Sequence, residues 1–212
     1  MSGDQHFTTA DGCRIAYRID GPVDRPVLML SNSIATNLHM WDRSVAALGR
    51  SFRLLRYDTR GHGGSDAPAG PYSMDRLGRD VVELLDFLDI DRAHFLGLSL
   101  GGFIGQWLGV FAPNRIDRLI LSNTAPYLAA ELHFDDQIHA VLAASDMDAI
   151  ADGFMRNWFP ATMLAAPNEI VDEFSNMVLT TSPRGLAGCF AALRDVGLVQ
   201  DLVVDVRDVA DE

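Results

Sequence analysis

Along the chain, apolar residues first alternate with polar ones, then gather in short continuous runs, and finally recur at helical spacing. Gln5-His6-Phe7-Thr8 and Arg14-Ile15-Ala16-Tyr17-Arg18-Ile19 alternate and flank Asp11-Gly12. An Asp-Gly pair between alternating segments predicts a hairpin, and so an antiparallel start to a sheet. Val27-Leu28-Met29-Leu30 is continuous and apolar, as a strand covered on both faces should be. A polar loop and a short helix over residues 41–48 follow, and residues 52–57 read as the next strand. Ser73 is a good N-cap, and Met74, Leu77, Val81, Leu84, Leu85 and Leu88 then recur at helical spacing. Residues 93–112 read as a short strand, a glycine-rich corner and an apolar helix stopped by Ala112-Pro113; residues 118–122 are a further strand. This alternation from Val27 to Ser122 predicts an α/β fold with a parallel, doubly covered sheet and right-handed crossovers.

After Asn123 the pattern changes. Residues 138–144, 147–158, 168–180 and 184–193 read as short helices separated by Pro160, Pro167 and Pro183. No clear strand interrupts them. The expected organisation is a core over residues 1–123, a helical cap over 124–198 and a tail over 199–212. The tail, with four aspartates among valines, reads either as a helix or as a poorly ordered end.

Composition narrows the function classes. The chain has 212 residues, 48% hydrophobic and 22% charged, with a formal net charge of −12. That length suits one domain, or one domain with an inserted subdomain. Acidity spread along the chain argues against nucleic acid or an anionic membrane as partner, since both need a basic surface. Cys13 and Cys189 lie far apart with no Cys-x-x-Cys pairing, which argues for a reducing compartment and against a zinc site. No run approaches the ~18 apolar residues of a membrane span. The expectation is a soluble cytoplasmic protein without metal or cofactor.

The chemistry concentrates at Gly97-Leu98-Ser99-Leu100-Gly101, a G-x-S-x-G pattern between the predicted strand and helix. A nucleophile on so tight a turn has strained backbone angles and close neighbours, and Gly97, Gly101 and Gly102 remove the Cβ atoms that would clash. Ser99 then projects where a helix begins and negative charge is favoured. An incidental serine in a glycine-rich turn is the alternative, and the flanking strand and helix argue against it.

Four segments together resemble the α/β-hydrolase fold family, and within it the 3-oxoadipate enol-lactonases of the β-ketoadipate pathway. They are Leu30-Ser31-Asn32-Ser33-Ile34-Ala35-Thr36 with Met40-Trp41-Asp42; Tyr57-Asp58-Thr59-Arg60-Gly61-His62-Gly63-Gly64-Ser65; the elbow with Gly105-Gln106-Trp107-Leu108; and Arg156-Asn157-Trp158-Phe159. The second and third are general to the fold. The first is more telling, because most relatives have His-Gly where this chain has Ser31-Asn32. The resemblance implies hydrolysis of a lactone or ester by Ser99, with the backbone N–H groups of Ser33 and Leu100 as oxyanion hole. It implies a small-molecule substrate carrying a carboxylate, for which Arg156 beside Trp158 is the candidate cation site; a solvated Arg156 and a cap-core Trp158 are the alternatives.

The family's sheet continues after the cap with two more strands that present the acid and the catalytic histidine. This chain stops at Glu212, where the first is due, so the resemblance predicts a C-terminally short chain with neither residue matched. Of the six histidines, His94 begins the elbow strand, roughly 16 Å from Ser99 at ~3.3 Å per residue. His62 more simply braces its own turn, His6 lies in the first hairpin, and His39, His133 and His139 could approach the pocket. A serine without a base keeps only residual catalysis, so little turnover is expected. Three other readings stay open: a general esterase, a cofactor-free haloperoxidase or perhydrolase, and a non-catalytic binding module. Missing strands would also leave a sheet edge open to self-association.

Overall fold

A computed structural model describes residues 4–125 and 133–196. The tail over residues 199–212 and parts of the cap boundaries lie outside the described residues.

The hairpin forms as the alternation predicts. Strand β1 (Gln5–Thr8) pairs antiparallel with β2 (Arg14–Asp20), Phe7 opposite Ile15. Gly12 supplies the left-handed backbone of the connecting loop, with φ 86°. Strands β3 (Val27–Ser31), β4 (Arg53–Tyr57), β5 (Ala93–Leu98) and β6 (Ile116–Ser122) complete one sheet in the order β1-β2-β4-β3-β5-β6. The β3–β4, β3–β5 and β5–β6 pairs are parallel, while β2–β4 is antiparallel.

Continuous apolar runs cover both faces because successive side chains point to opposite sides. Leu28, Leu30 and Leu54 pack against Val45 and Leu48 of α1 (Asp42–Leu48). Met29, Leu55 and Phe95 face the larger core, with Leu77, Val81, Leu84 and Leu85 of α2 (Met74–Phe87). Ser73 caps α2 by accepting from the Arg76 N–H at 3.1 Å. Helix α3 (Leu100–Phe111) follows β5 directly.

Beyond Asn123 the described residues form α4 (Phe134–Ala143), α5 (Asp148–Trp158), α6 (Ala161–Leu164), α7 (Glu169–Leu179) and α8 (Pro183–Arg194). The sequence pattern gives four of these; α6 is a single turn, too short to show a period. Leu186, Cys189 and Phe190 of α8 belong to the same apolar cluster as Phe95 and Leu77, so the core runs unbroken from sheet to cap.

Cover thins at one edge of the sheet, in keeping with the open edge expected above: Leu119, Ile120 and Leu121 on β6 are 36%, 48% and 42% exposed. Strand β6 has only β5 beside it among the described strands, so its apolar residues have less to pack against. Among the described residues, no helix is long and apolar enough to cross a membrane.

Candidate active site

Ser99 sits between β5 and α3 with φ 52° and ψ −112°, a strained conformation for a residue with a Cβ. The glycines around it are sterically required. A Cβ on Gly97 would lie 2.1 Å from the Gly101 carbonyl oxygen, and one on Gly101 would lie 2.4 Å from that of Ser31. The turn is pinned by the Ser99 N–H donating to Ser122 O at 2.9 Å and the Gly101 N–H donating to Asn32 O at 3.0 Å.

The second bond joins the elbow to the loop after β3. Asn32 O shares a planar peptide with the Ser33 N–H, so fixing one fixes the plane of the other. The rest of the loop is held as firmly. Asn32 Nδ2 donates to Tyr57 O at 2.8 Å, and Trp41 Nε1 donates to Asn32 Oδ1 at 2.8 Å. The Thr36 hydroxyl donates to Ser33 O at 2.7 Å. The N–H groups of Ser33 and Leu100 have no acceptor among the described residues.

Ser99 and Ser33 line a cavity of about 510 Å³ with Thr36, Met40, Asn123, Asn157, Trp158, Phe159 and Phe174. The cap therefore forms one wall through α5 and α7. Trp158 is held by Phe154 at 4.7 Å and Phe174 at 6.2 Å between ring centroids. Met40 and Asn123 lay outside the site inferred from sequence, although Asn123 immediately follows an apolar strand, where open α/β sheets bind ligands. Phe174 gave no signal beyond a place in an amphipathic helix.

Arg156 lies away from the cavity. It is 68% exposed and lies 3.9 Å from Asp152 one helical turn away. Arg156 and Trp158 stand two positions apart on α5, about 200° around a helix, so Trp158 faces inward while Arg156 faces water. The polar lining is neutral: serines, a threonine and two asparagines.

Among the described lining residues there is no histidine. His39 is exposed and 2.9 Å from Asp42; His94 lies 3.2 Å from Asp117; His133 and His139 are exposed; His6 bonds Gly64 O. His62 is buried and reaches across to the loop after β3, accepting from the Ala35 N–H through Nε2 at 3.0 Å.

Asp58, beside it, accepts from the Leu38 N–H at 2.6 Å and the Gly64 N–H at 2.8 Å. Burial pushes Asp58 up to about 6 against the pull of those two bonds, and pushes His62 down to about 4. Arg60 anchors the same turn. Its guanidinium meets both oxygens of Asp80 at 2.6 and 2.7 Å and also reaches Asp11. Both Arg60 and Asp80 are buried, and such a pair is costly to break by removing one partner.

A serine on a strained strand-to-helix turn, beside a fixed loop at the neighbouring strand end, defines a hydrolase of the α/β class. The chain belongs to the alpha/beta hydrolase fold family, whose sequence profile matches residues 26–181. It is 37% identical over 187 residues to 3-oxoadipate enol-lactonase 2 of Acinetobacter baylyi, covering 88% of this chain and 70% of that protein. A hydrolase structure from Pseudomonas aeruginosa PA01 is 52% identical with a TM-score of 0.93, covering 95% of this chain and 76% of that one. The enol-lactonase from Burkholderia xenovorans LB400 is 36% identical with a TM-score of 0.88, covering 93% and 76%.

Proposed function

We propose that the chain hydrolyses a carboxylic ester or lactone through Ser99, with 3-oxoadipate enol-lactone as the preferred substrate. The observation that carries this reading is the strained Ser99 facing a cavity shared with the fixed Ser33 loop. The substrate choice draws support from the enol-lactonases among its relatives. Ser99 Oγ attacks the carbonyl carbon, and the carbonyl electron pair moves onto oxygen, where the Ser33 and Leu100 N–H groups meet it. The Ser99 proton passes through solvent to the leaving oxygen as its bond to the acyl carbon breaks, and a water then adds to that carbon and displaces Ser99 Oγ, which regains a proton.

No described residue in the cavity is placed to take the Ser99 proton. A second reading, supported by the same cavity with its apolar wall and neutral polar lining, is a pocket that binds the lactone without turning it over.

Hydrolysis of the enol-lactone and of p-nitrophenyl acetate, in wild type and Ser99→Ala, separates the two. Loss of all turnover in the variant supports the serine reading, and equal rates sink it. Binding of the lactone without hydrolysis in either protein supports the second. Two further expectations attach to the chain. Its two free, buried cysteines fit a reducing cytoplasm. Its exposed β6 edge supports self-association, and a single sedimenting species at every concentration would remove that expectation.

A further inference from the structure

The turn after β4 makes contact with the loop after β3 through one side chain whose chemistry is constrained. The Ala35 N–H can only donate, so His62 Nε2 must carry a lone pair. The other ring nitrogen then carries the proton, and it faces a group that can only accept, Arg60 O at 3.3 Å. The two partners select one neutral tautomer between them. Ala35 has φ 60°, a left-handed conformation that a residue with a Cβ holds only when its surroundings impose it. Ala35 lies two residues after Ser33 and inside the turn closed by the Thr36 N–H on Ser33 O.

We propose that His62 is a positioning residue for the oxyanion site: its neutral ring holds the Ala35 N–H, and with it the turn that presents the Ser33 N–H to the cavity. This rests on the oxyanion reading of Ser33. His62 touches no reacting atom. Its work is to keep a strained turn from relaxing to a conformation in which the Ser33 N–H leaves the cavity. Arg60 serves the same end at one remove, because its ion pairs with Asp80 and Asp11 fix the carbonyl that sets the His62 tautomer.

Three measurements on the full chain test it. The first uses wild type alone: long-range proton–nitrogen correlations of the His62 ring at neutral pH should show the proton on Nδ1. A proton on Nε2, or on both nitrogens, overturns the proposal.

The second compares phosphonylation of Ser99 by a fluorophosphonate in wild type, His62→Leu and His62→Gln. The Gln Oε1 can accept where Nε2 does. The Leu variant should be slower by on the order of 10²-fold, the size of losing one oxyanion donor, and the Gln variant should recover most of that. Equal rates in wild type and Leu overturn the proposal, as does a Gln variant no better than Leu.

The third follows the Ser33 and Leu100 amide protons in the adduct. In wild type both should move downfield, and in the Leu variant Leu100 alone should move. Movement of both in the Leu variant overturns the role of His62 and leaves the oxyanion reading standing. Movement of neither in wild type overturns the oxyanion reading itself.

Discussion

Gly61 and Gly185 meet backbone to backbone: a Cβ on Gly185 would lie 2.3 Å from the Gly61 Cα, and one on Gly61 would lie 2.4 Å from the Gly185 Cα. This contact seats the first turn of α8 on the turn after β4. Cys189 Sγ reaches Arg60 O at 3.9 Å one turn further along, and the Thr181 hydroxyl reaches Ala35 O at 3.4 Å just before the helix. The cap is thus locked to both loops that shape the cavity.

Gly185→Ala should destabilise the fold even though it improves helix propensity. Propensity favours alanine by about 1 kcal/mol in a helix interior. Against it stands a clash with backbone that cannot swing aside, and overpacking of this kind costs about 1–3 kcal/mol or more. The clash wins, and the melting temperature should fall by about 2–4 °C per kcal/mol in a chain of this size. Gly153 on α5 is the control, since a Cβ there meets nothing within 4 Å. Gly153→Ala should stabilise by about 0.5–1 kcal/mol. Thermal melts of both variants check the pair, and two shifts of the same sign would contradict it.

Trp158 and Arg156 lie two positions apart in the cap but should behave differently. Trp158 lines the cavity between Phe154 and Phe174, so Trp158→Ala removes apolar surface from any bound lactone. A loss of about 1–2 kcal/mol of binding raises KM roughly tenfold. Arg156 is solvated, so Arg156→Ala should leave the ratio of KM values for a carboxylated lactone and a neutral ester unchanged. A rise confined to the carboxylated substrate would return Arg156 to the site. Steady-state kinetics on both substrates decide.

These two residues also show how far the sequence carries. Periodicity set nearly every element, because the apolar spacing that predicts a helix or strand is the spacing that buries it, as in α2. The elbow was legible because its glycines are a steric necessity. The direction of a side chain within a cap helix was not legible. Arg156 and Trp158 stand two positions apart, about 200° around a helix, so they take opposite faces of α5, and which face meets the cavity is set by the placement of α5 against α7. Nor was the reach of His62 to Ala35, a contact between residues 27 positions apart that depends on how two loops face each other across the strand ends. The exposure of β6 is likewise set by what stands beside the strand, while its own sequence reads as buried.

The acid stability of the chain should depend on two buried groups that act in opposite directions. His62 is pushed from 6.5 down to about 4 by burial, so between those values the unfolded chain takes up a proton that the folded one refuses. Its contribution is full above 6.5 and is lost as pH falls towards 4. Asp58 is pushed from 3.8 up to about 6, chiefly by burial, so over nearly the same window the folded chain keeps a proton that the unfolded one has released. Its contribution is full below 3.8 and is lost as pH rises towards 6. Of the neighbouring carboxylates paired with Arg60, Asp11 is held below its usual range by that guanidinium, while burial pushes Asp80 up against the same pull. Between pH 4 and 6 the two slopes cancel in wild type. His62→Gln removes one of them while keeping an acceptor for the Ala35 N–H. The stability of the variant relative to wild type should then fall by about 1.4 kcal/mol for each unit that pH rises from 4.5 to 6, and stop changing above about 6.5. Urea unfolding of both proteins at several pH values measures this difference directly, and a pH-independent difference would mean that His62 titrates alike in the folded and unfolded chains.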